Sequence, residues 1–171
     1  RQTVARLKKG RRVEELEQFT LNDSMTGMYN RNAYDYFVKN EKDFEGYVIV
    51  TFDLNNLKQC NDQYGHRAGD EYIINAAHII EDNFERYGKC YRIGGDEFCC
   101  IIPKGRYFKI ERVMHKIDQD VEVLNHKNII PVPVGIAYGY AVFTADDTDP
   151  EKVRERADKD MYRNKKTMKQ S

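Results

Sequence analysis

The chain has 171 residues, 40% of them hydrophobic, which is enough for one domain with its own core. Its 28 basic and 28 acidic residues balance, so no net field draws it to nucleic acid or to an anionic membrane surface. No apolar run approaches the roughly 18 residues of a membrane span and no secretory signal pattern is recognisable, which excludes direct membrane contact by this segment and fits a cytoplasmic domain.

Arg1 to Phe19 is densely charged, with a sparse apolar set at Val4, Leu7, Val13, Leu16 and Phe19. That stripe is too narrow to form a core alone. Residues 1–20 are therefore expected to be a linker or signalling helix from an upstream sensor or membrane domain, through which the full-length protein could be anchored, and residues 21–171 the domain proper. Asn30 is placed to cap a helix from Arg31 to about Val38, with Tyr34 and Phe37 on one face. Tyr47 to Phe52 reads as a buried strand that delivers Asp53 at its C-terminal edge. Gly69 to Tyr87 has apolar residues at helical spacing: Tyr72, Ile73, Ala76, Ala77, Ile79, Ile80 and Phe84.

Tyr91–Ile93 and Phe98–Ile102 then flank Gly94, Gly95, Asp96 and Glu97, the pattern of a hairpin with carboxylates at its tip. Tyr107 to Leu124 is a second amphipathic helix. Val132 to Phe143 is rich in β-branched and aromatic residues, and Gly135 and Gly139 predict a bulge or bend in it. A last helix is expected from Pro150 to about Lys166. These elements predict an α/β (α+β) fold, a mixed, mainly antiparallel sheet flanked by helices.

Two acids brought together from Asp53 and the hairpin would hold divalent cations. The cysteines offer a poorer metal site: Cys60, Cys90, Cys99 and Cys100 lack the paired spacing of a zinc centre. Adjacent Cys99 and Cys100 are expected to be small buried strand residues.

From Asp23 onward the chain resembles the diguanylate cyclase family, known by its Gly-Gly-Asp-Glu-Phe motif. The motif stands intact at Gly94–Phe98, and four further segments match in order. Asp23-Ser-Met-Thr-Gly-Met-Tyr-Asn-Arg31 is similar to the family's opening Asp-x-Leu-Thr-Gly-Leu-x-Asn-Arg, and Asp53-Leu-Asn-Asn-Leu-Lys58 to its Asp-x-Asp-x-Phe-Lys. Asn61-Asp-Gln-Tyr-Gly-His-Arg-Ala-Gly-Asp70 fits Asn-Asp-x-x-Gly-His-x-x-Gly-Asp, and Ala157-Asp-Lys-Asp-Met-Tyr-Arg-Asn-Lys165 fits the closing Ala-Asp-x-x-Leu-Tyr-x-x-Lys.

The resemblance implies a nucleotide-cyclase or polymerase-palm-like fold with a ferredoxin-like core, and a reaction joining two GTP molecules into cyclic di-GMP with loss of two pyrophosphates. It implies a head-to-head homodimer, transient or driven by the upstream region, with one GTP per half-site. A catalytically silent GTP-binding regulatory module is the alternative that the family also contains. Asp53, Asp96 and the Leu54 carbonyl match the family's metal ligands, and hard oxygen donors suit two magnesium or manganese ions per half-site. Glu97 either shares in metal or proton handling or orients the hairpin. Asn61 and Asp70 match the guanine contacts, where a carboxylate accepts from N1–H and the 2-amino group that adenine does not pair in this way. Lys58 and Lys165 match the phosphate-binding lysines, with Arg92 a third candidate, while Gly94 and Gly95 let the backbone approach the nucleotide.

The chain departs from the pattern at Asn55, where a second aspartate is common, at Leu57, and at Met168 and Lys169, where Gly and Arg are frequent. Glu85 and Gly88 stand where many members carry the Arg and Asp of a product-inhibition site.

Overall fold

A computed structural model describes residues 21–106 and 108–170, with side chains as far as Lys166 in the last helix. The expected linker helix at 1–20, Tyr107, and the side chains of Met168 and Lys169 lie outside what is described. In chain order the elements are α1 (Arg31–Asn40), β1 (Val48–Asn55), α2 (Leu57–Tyr64), α3 (His66–Phe84), β2 (Lys89–Arg92), β3 (Glu97–Ile102), α4 (Ile110–His126), β4 (Gly135–Val142) and α5 (Pro150–Gln170). Among the described residues no helix is long and apolar enough to cross a membrane.

The four strands form one sheet in the order β2-β3-β1-β4. Every strand–strand pairing is antiparallel, and an isolated parallel bridge joins Tyr29 to Tyr91 of β2. This is the ferredoxin-like order that the resemblance implies. Strand β1 is central: Val48 lies opposite Ile102 on one side and Val142 on the other, and Asp53 lies between Glu97 and Ala137.

Because side chains alternate across a strand, β1 feeds two cores. Val50, Phe52 and Leu54 join Tyr72, Ala76, Ile80 and Phe84 of α3 and Met114 and Ile117 of α4 on one face. Ile49 joins Tyr34 of α1, Cys99 and Ile101 of β3, and Val153 and Ala157 of α5 on the other. All four cysteines are free and buried, as expected for Cys99 and Cys100.

Several boundaries differ from the sequence reading. Asn30 does cap α1, accepting from the Ala33 N–H at 3.0 Å, but the helix runs on to Asn40. Strand β1 extends past Phe52 to Asn55, so Asp53 lies within the strand and not beyond its edge. The segment before Gly69 is helical: α2 and α3 meet at Gly65, whose φ of 86° suits glycine. Leu57 and Cys60, one turn apart, anchor α2 in the core.

Strand β4 pairs one-to-one with β1 from Gly135 to Val142, without a bulge. Gly139 serves a different need. A methyl group there would overlap the Met161 amide nitrogen and the Ala157 carbonyl oxygen, so the glycine lets α5 lie directly on β4. The helix also covers the free edge of that strand. Asn164 donates to the Tyr138 carbonyl at 2.8 Å, Asp160 accepts from the Tyr140 N–H at 3.1 Å, and Arg156 donates to the Val142 carbonyl at 3.0 Å. These three side chains are spaced four residues apart, one per helical turn, matching strand groups two residues apart.

Since the atoms facing Gly139 are backbone and cannot rotate away, Gly139→Ala should destabilise the domain by about 3 kcal/mol. Urea unfolding should show a lower midpoint at unchanged m; a midpoint equal to wild type would mean that α5 does not lie this close to β4.

Candidate functional site

The β2–β3 hairpin closes through Ile93 to Asp96, with the Ile93 N–H donating to the Glu97 carbonyl at 3.0 Å. Asp96 and Glu97 are exposed, and Glu97 opens β3. The register places Glu97 directly opposite Asp53. Directly opposed residues point to the same face of a sheet with Cβ atoms about 5 Å apart, so these two acids are neighbours. The Glu97 side chain leans back over the turn, and a Cβ on Gly94 would come within 3.3 Å of its carboxylate.

Asp53 is 21% exposed and forms an ion pair with Lys165 of α5. The structure thus brings Asp53, Glu97 and Lys165 together from elements far apart in sequence. Leu54, next in the strand, buries its side chain in the core, as its neighbour's outward position requires. Asn55, next again, is one of the departures from the family pattern. Its Oδ1 is buried and meets no donor among the described residues.

Asn61 lies in α2 and Asp70 in the first turns of α3. Gly69 brings them together: a Cβ at that position would overlap the Asn61 amide oxygen, so only glycine lets the amide lie against the start of α3 beside Asp70. Tyr72, two residues on, secures this helix to the strands. Its hydroxyl donates to the Asn55 carbonyl and accepts from the Gly135 N–H at 2.9 Å, and burial pushes the phenol up to about 12. Sequence reading treated Tyr72 as a core residue only; nothing local indicates that its hydroxyl ties α3 to the ends of β1 and β4. Lys58 is exposed on α2.

Arg92, the third candidate for a phosphate contact, is engaged within the chain. Its Nε and Nη2 donate to the Gly95 carbonyl at 3.2 and 2.8 Å, and its Nη1 to both carboxylate oxygens of Asp23 at 3.2 and 3.1 Å. With its side chain 12% exposed, Arg92 braces the hairpin turn against the opening segment. Asp23 also accepts from the Thr26 N–H and hydroxyl at 2.9 and 2.7 Å. Although burial opposes its ionisation, the Thr26 and Arg92 hydrogen bonds prevail and hold the Asp23 carboxyl below its ordinary value.

Among the described residues no group of three or more His, Cys, Asp or Glu side chains could hold a metal ion. The expected donor set is smaller, two carboxylates and the Leu54 main-chain carbonyl. All are hard oxygens, which suit magnesium or manganese completed by water and substrate phosphate rather than a cage made by protein alone.

The sequence profile described as "Diguanylate cyclase, GGDEF domain" matches residues 20–171. Among curated proteins, the chain is 28% identical over 158 residues to diguanylate cyclase DgcS of Shewanella oneidensis, covering 89% of this chain and 52% of that protein. It is 29% identical over 157 residues to the bifunctional diguanylate cyclase/cyclic di-GMP phosphodiesterase MucR of Pseudomonas aeruginosa, covering 86% of this chain and 22% of that one. The chain therefore spans about half or less of the length of these relatives. The coiled coil and GGDEF domain of DgcB from Caulobacter crescentus, solved in complex with c-di-GMP, superposes with a TM-score of 0.78 at 23% identity, covering 97% of this chain and 92% of that one. Diguanylate cyclase SiaD of Pseudomonas aeruginosa, solved with its activator SiaC, gives 0.73 at 23% identity and covers 97% of this chain and 70% of that one. These structural likenesses establish the fold.

The brace carries a pH dependence. A carboxyl with a lowered folded-state pKa stabilises above its unfolded value and loses that contribution as pH falls. Arg92→Met should cost about 1–2 kcal/mol at pH 6, as expected for hydrogen bonds to a charged group. The difference from wild type should shrink as pH falls below the ordinary aspartate value of 3.8. Urea unfolding of both proteins across pH 6 to about pH 3 reads this, and a difference that stays constant would remove Asp23 from the account.

Proposed function

The chain belongs to the diguanylate cyclase, GGDEF domain, family, and from that membership we propose that it condenses two GTP molecules into cyclic di-GMP with release of two pyrophosphates, as the output domain of a signalling protein. The observation that carries this reading is the register of Asp53 with Glu97, which sets the β1 carboxylate beside the signature hairpin.

In this reading Asp53, Asp96 and the Leu54 carbonyl hold the divalent cations, two per half-site. Bound there, the cations neutralise phosphate charge and make the attacking 3'-hydroxyl easier to deprotonate. Gly95 has no heavy atom within 4 Å of where a Cβ would stand, so the turn presents bare backbone to the nucleotide. Lys165, on Asp53 in the free domain, and Lys58 on α2 contact the triphosphate, while Arg92 keeps the turn in place. Asp70 accepts from N1–H and the 2-amino group of guanine and Asn61 adds a further contact; adenine would leave Asp70 desolvated and unpaired. Glu97, beside Asp53 and folded over Gly94, is suited both to proton handling and to shaping the turn.

Each half-site has one nucleotide, so the 3'-hydroxyl of one GTP must meet the α-phosphate of another held by a second copy. Turnover then requires a homodimer, formed transiently or under control of the upstream region. Cytoplasmic placement, next to the GTP pool, follows from the same reading.

Feedback at the common product-inhibition position is not expected. Gly88 is pressed so closely on β3 that a Cβ would overlap the Ile101 carbonyl, and Glu85 replaces the arginine. Cyclic di-GMP should therefore leave the rate unchanged through that site, and tight product binding lost in Arg86→Ala would overturn this.

The test of the function is product formation. Purified protein at high concentration with GTP and magnesium should yield cyclic di-GMP by mass-resolved chromatography. Asp53→Asn and Asp96→Asn should each lower the rate at least about 100-fold with an unchanged unfolding midpoint. Asp70→Ala should chiefly relax the preference for GTP over ATP. Retained turnover in both aspartate variants would sink the metal assignment. GTP binding without product, even after forced dimerisation, would point instead to a silent regulatory module.

A further inference from the structure

Cys90 of β2 and Cys100 of β3 stand directly opposite each other in the signature hairpin. Both side chains lie on the α3/α4 face, and their Sγ atoms are 2.9 Å apart. The Ile93 N–H donates to the Glu97 carbonyl, which makes that opposed pair a hydrogen-bonded one. Three steps back along each arm, Cys90 and Cys100 therefore occupy a non-hydrogen-bonded pair, where opposed Cα atoms come within about 4.5 Å. A disulfide spans Cα separations of roughly 4.4–6.8 Å, so bond formation needs little backbone movement.

We propose that Cys90 and Cys100 form a redox-active dithiol that closes to a disulfide with hydrogen peroxide and staples the two arms of the hairpin. The pair is served from one side. Cys90 lines a cavity of about 330 Å³ with Glu81, Glu85, Gly88 and Lys89, whereas Cys100 is fully enclosed. The acids at this cavity favour a small neutral oxidant over an anionic one such as oxidised glutathione. Since only Cys90 of the two borders the cavity, the first step falls to Cys90.

The Cys90 sulfur attacks peroxide and breaks the O–O bond, giving a sulfenic acid and one water. The Cys100 sulfur then attacks the Cys90 sulfur, the S–O bond breaks, and a second water leaves. Two thiols are oxidised, one peroxide is reduced to two waters, and both thiol protons end in water. The other two cysteines are placed out of this chemistry: Cys99 points to the opposite face of the sheet, and Cys60 belongs to α2.

The experiment oxidises the whole reduced chain with hydrogen peroxide in native buffer, blocks remaining thiols and maps tryptic peptides without reduction. Trypsin cuts after Arg92, so the expected bond joins two separate peptides. The mass should fall by two hydrogens, two thiols should remain, and Tm should rise by about 5 °C, reversed by dithiothreitol. Cys99→Ala should retain the linkage and Cys100→Ala should lose it, and fragmentation between residues 99 and 100 of the wild-type peptide gives the same assignment without a variant. Four free thiols after oxidation, a bond to Cys60 or Cys99, Cys90 stopping at sulfinic acid, or linkage only in urea would each overturn the proposal.

Discussion

A sheet covered by helices on both faces can present polar groups to solvent only at strand ends and edges. Strand β1 is central in the sheet and feeds a core on each side, through Val50, Phe52 and Leu54 one way and Ile49 the other. Charge on such a strand is costly along most of its length. It becomes tolerable near the C-terminal end, where Asp53 is partly exposed and has Lys165 as a counter-ion. The placement of every other candidate group follows from that position: the hairpin because Glu97 is opposed to Asp53, α2 because it leaves the end of β1 through Asn56, and α5 because it carries Lys165 to the same corner.

Close approach between elements is the second organising constraint, and near the candidate site it rests on Gly139 and Gly69. Gly139 lets α5 lie directly on β4, and its Arg156, Asp160 and Asn164 then satisfy the strand's outer edge. Gly69 performs the same service between helices, admitting the Asn61 amide beside Asp70. Neither glycine contributes chemistry. Each removes a methyl group that would push a functional side chain out of place, and a shift of one atom's width is large on the scale of a hydrogen bond.

The tip of the hairpin is braced by charge. Its turn offers few apolar atoms, and Arg92 fixes it by donating to the Gly95 carbonyl while pairing with Asp23. The opening segment is thereby part of the site's support, although none of its residues belongs to the candidate metal or nucleotide contacts. Further along the same arms the packing is apolar, and there Cys90 meets Cys100.

Much of the architecture was readable from local pattern. Helical spacing in Tyr72–Phe84 and Ile110–Leu124, the capping residue Asn30, and the apolar arms around Gly94 to Glu97 all reflect interactions within a few residues, which composition and periodicity report directly. The motif residues likewise pointed to carboxylates, a guanine contact and phosphate lysines before any geometry was seen. What local pattern mistook was decided at a distance. The Asn, Asp and Gly of the 61–70 segment favour turns by their own chemistry, yet Leu57 and Cys60 reach the core and make α2 a helix. Gly139 looks the same in sequence whether it bends a strand or admits a helix, because the atoms that decide belong to Ala157 and Met161. Arg92 sits beside the motif in sequence, but its pairing with Asp23, 69 residues away, is a contact that only the fold makes. The sequence by itself determined which elements form and which reactive groups the chain owns, since both are set by neighbouring residues. Only the tertiary structure decided which of those groups stand together, because strand register and helix approach are contacts between distant segments.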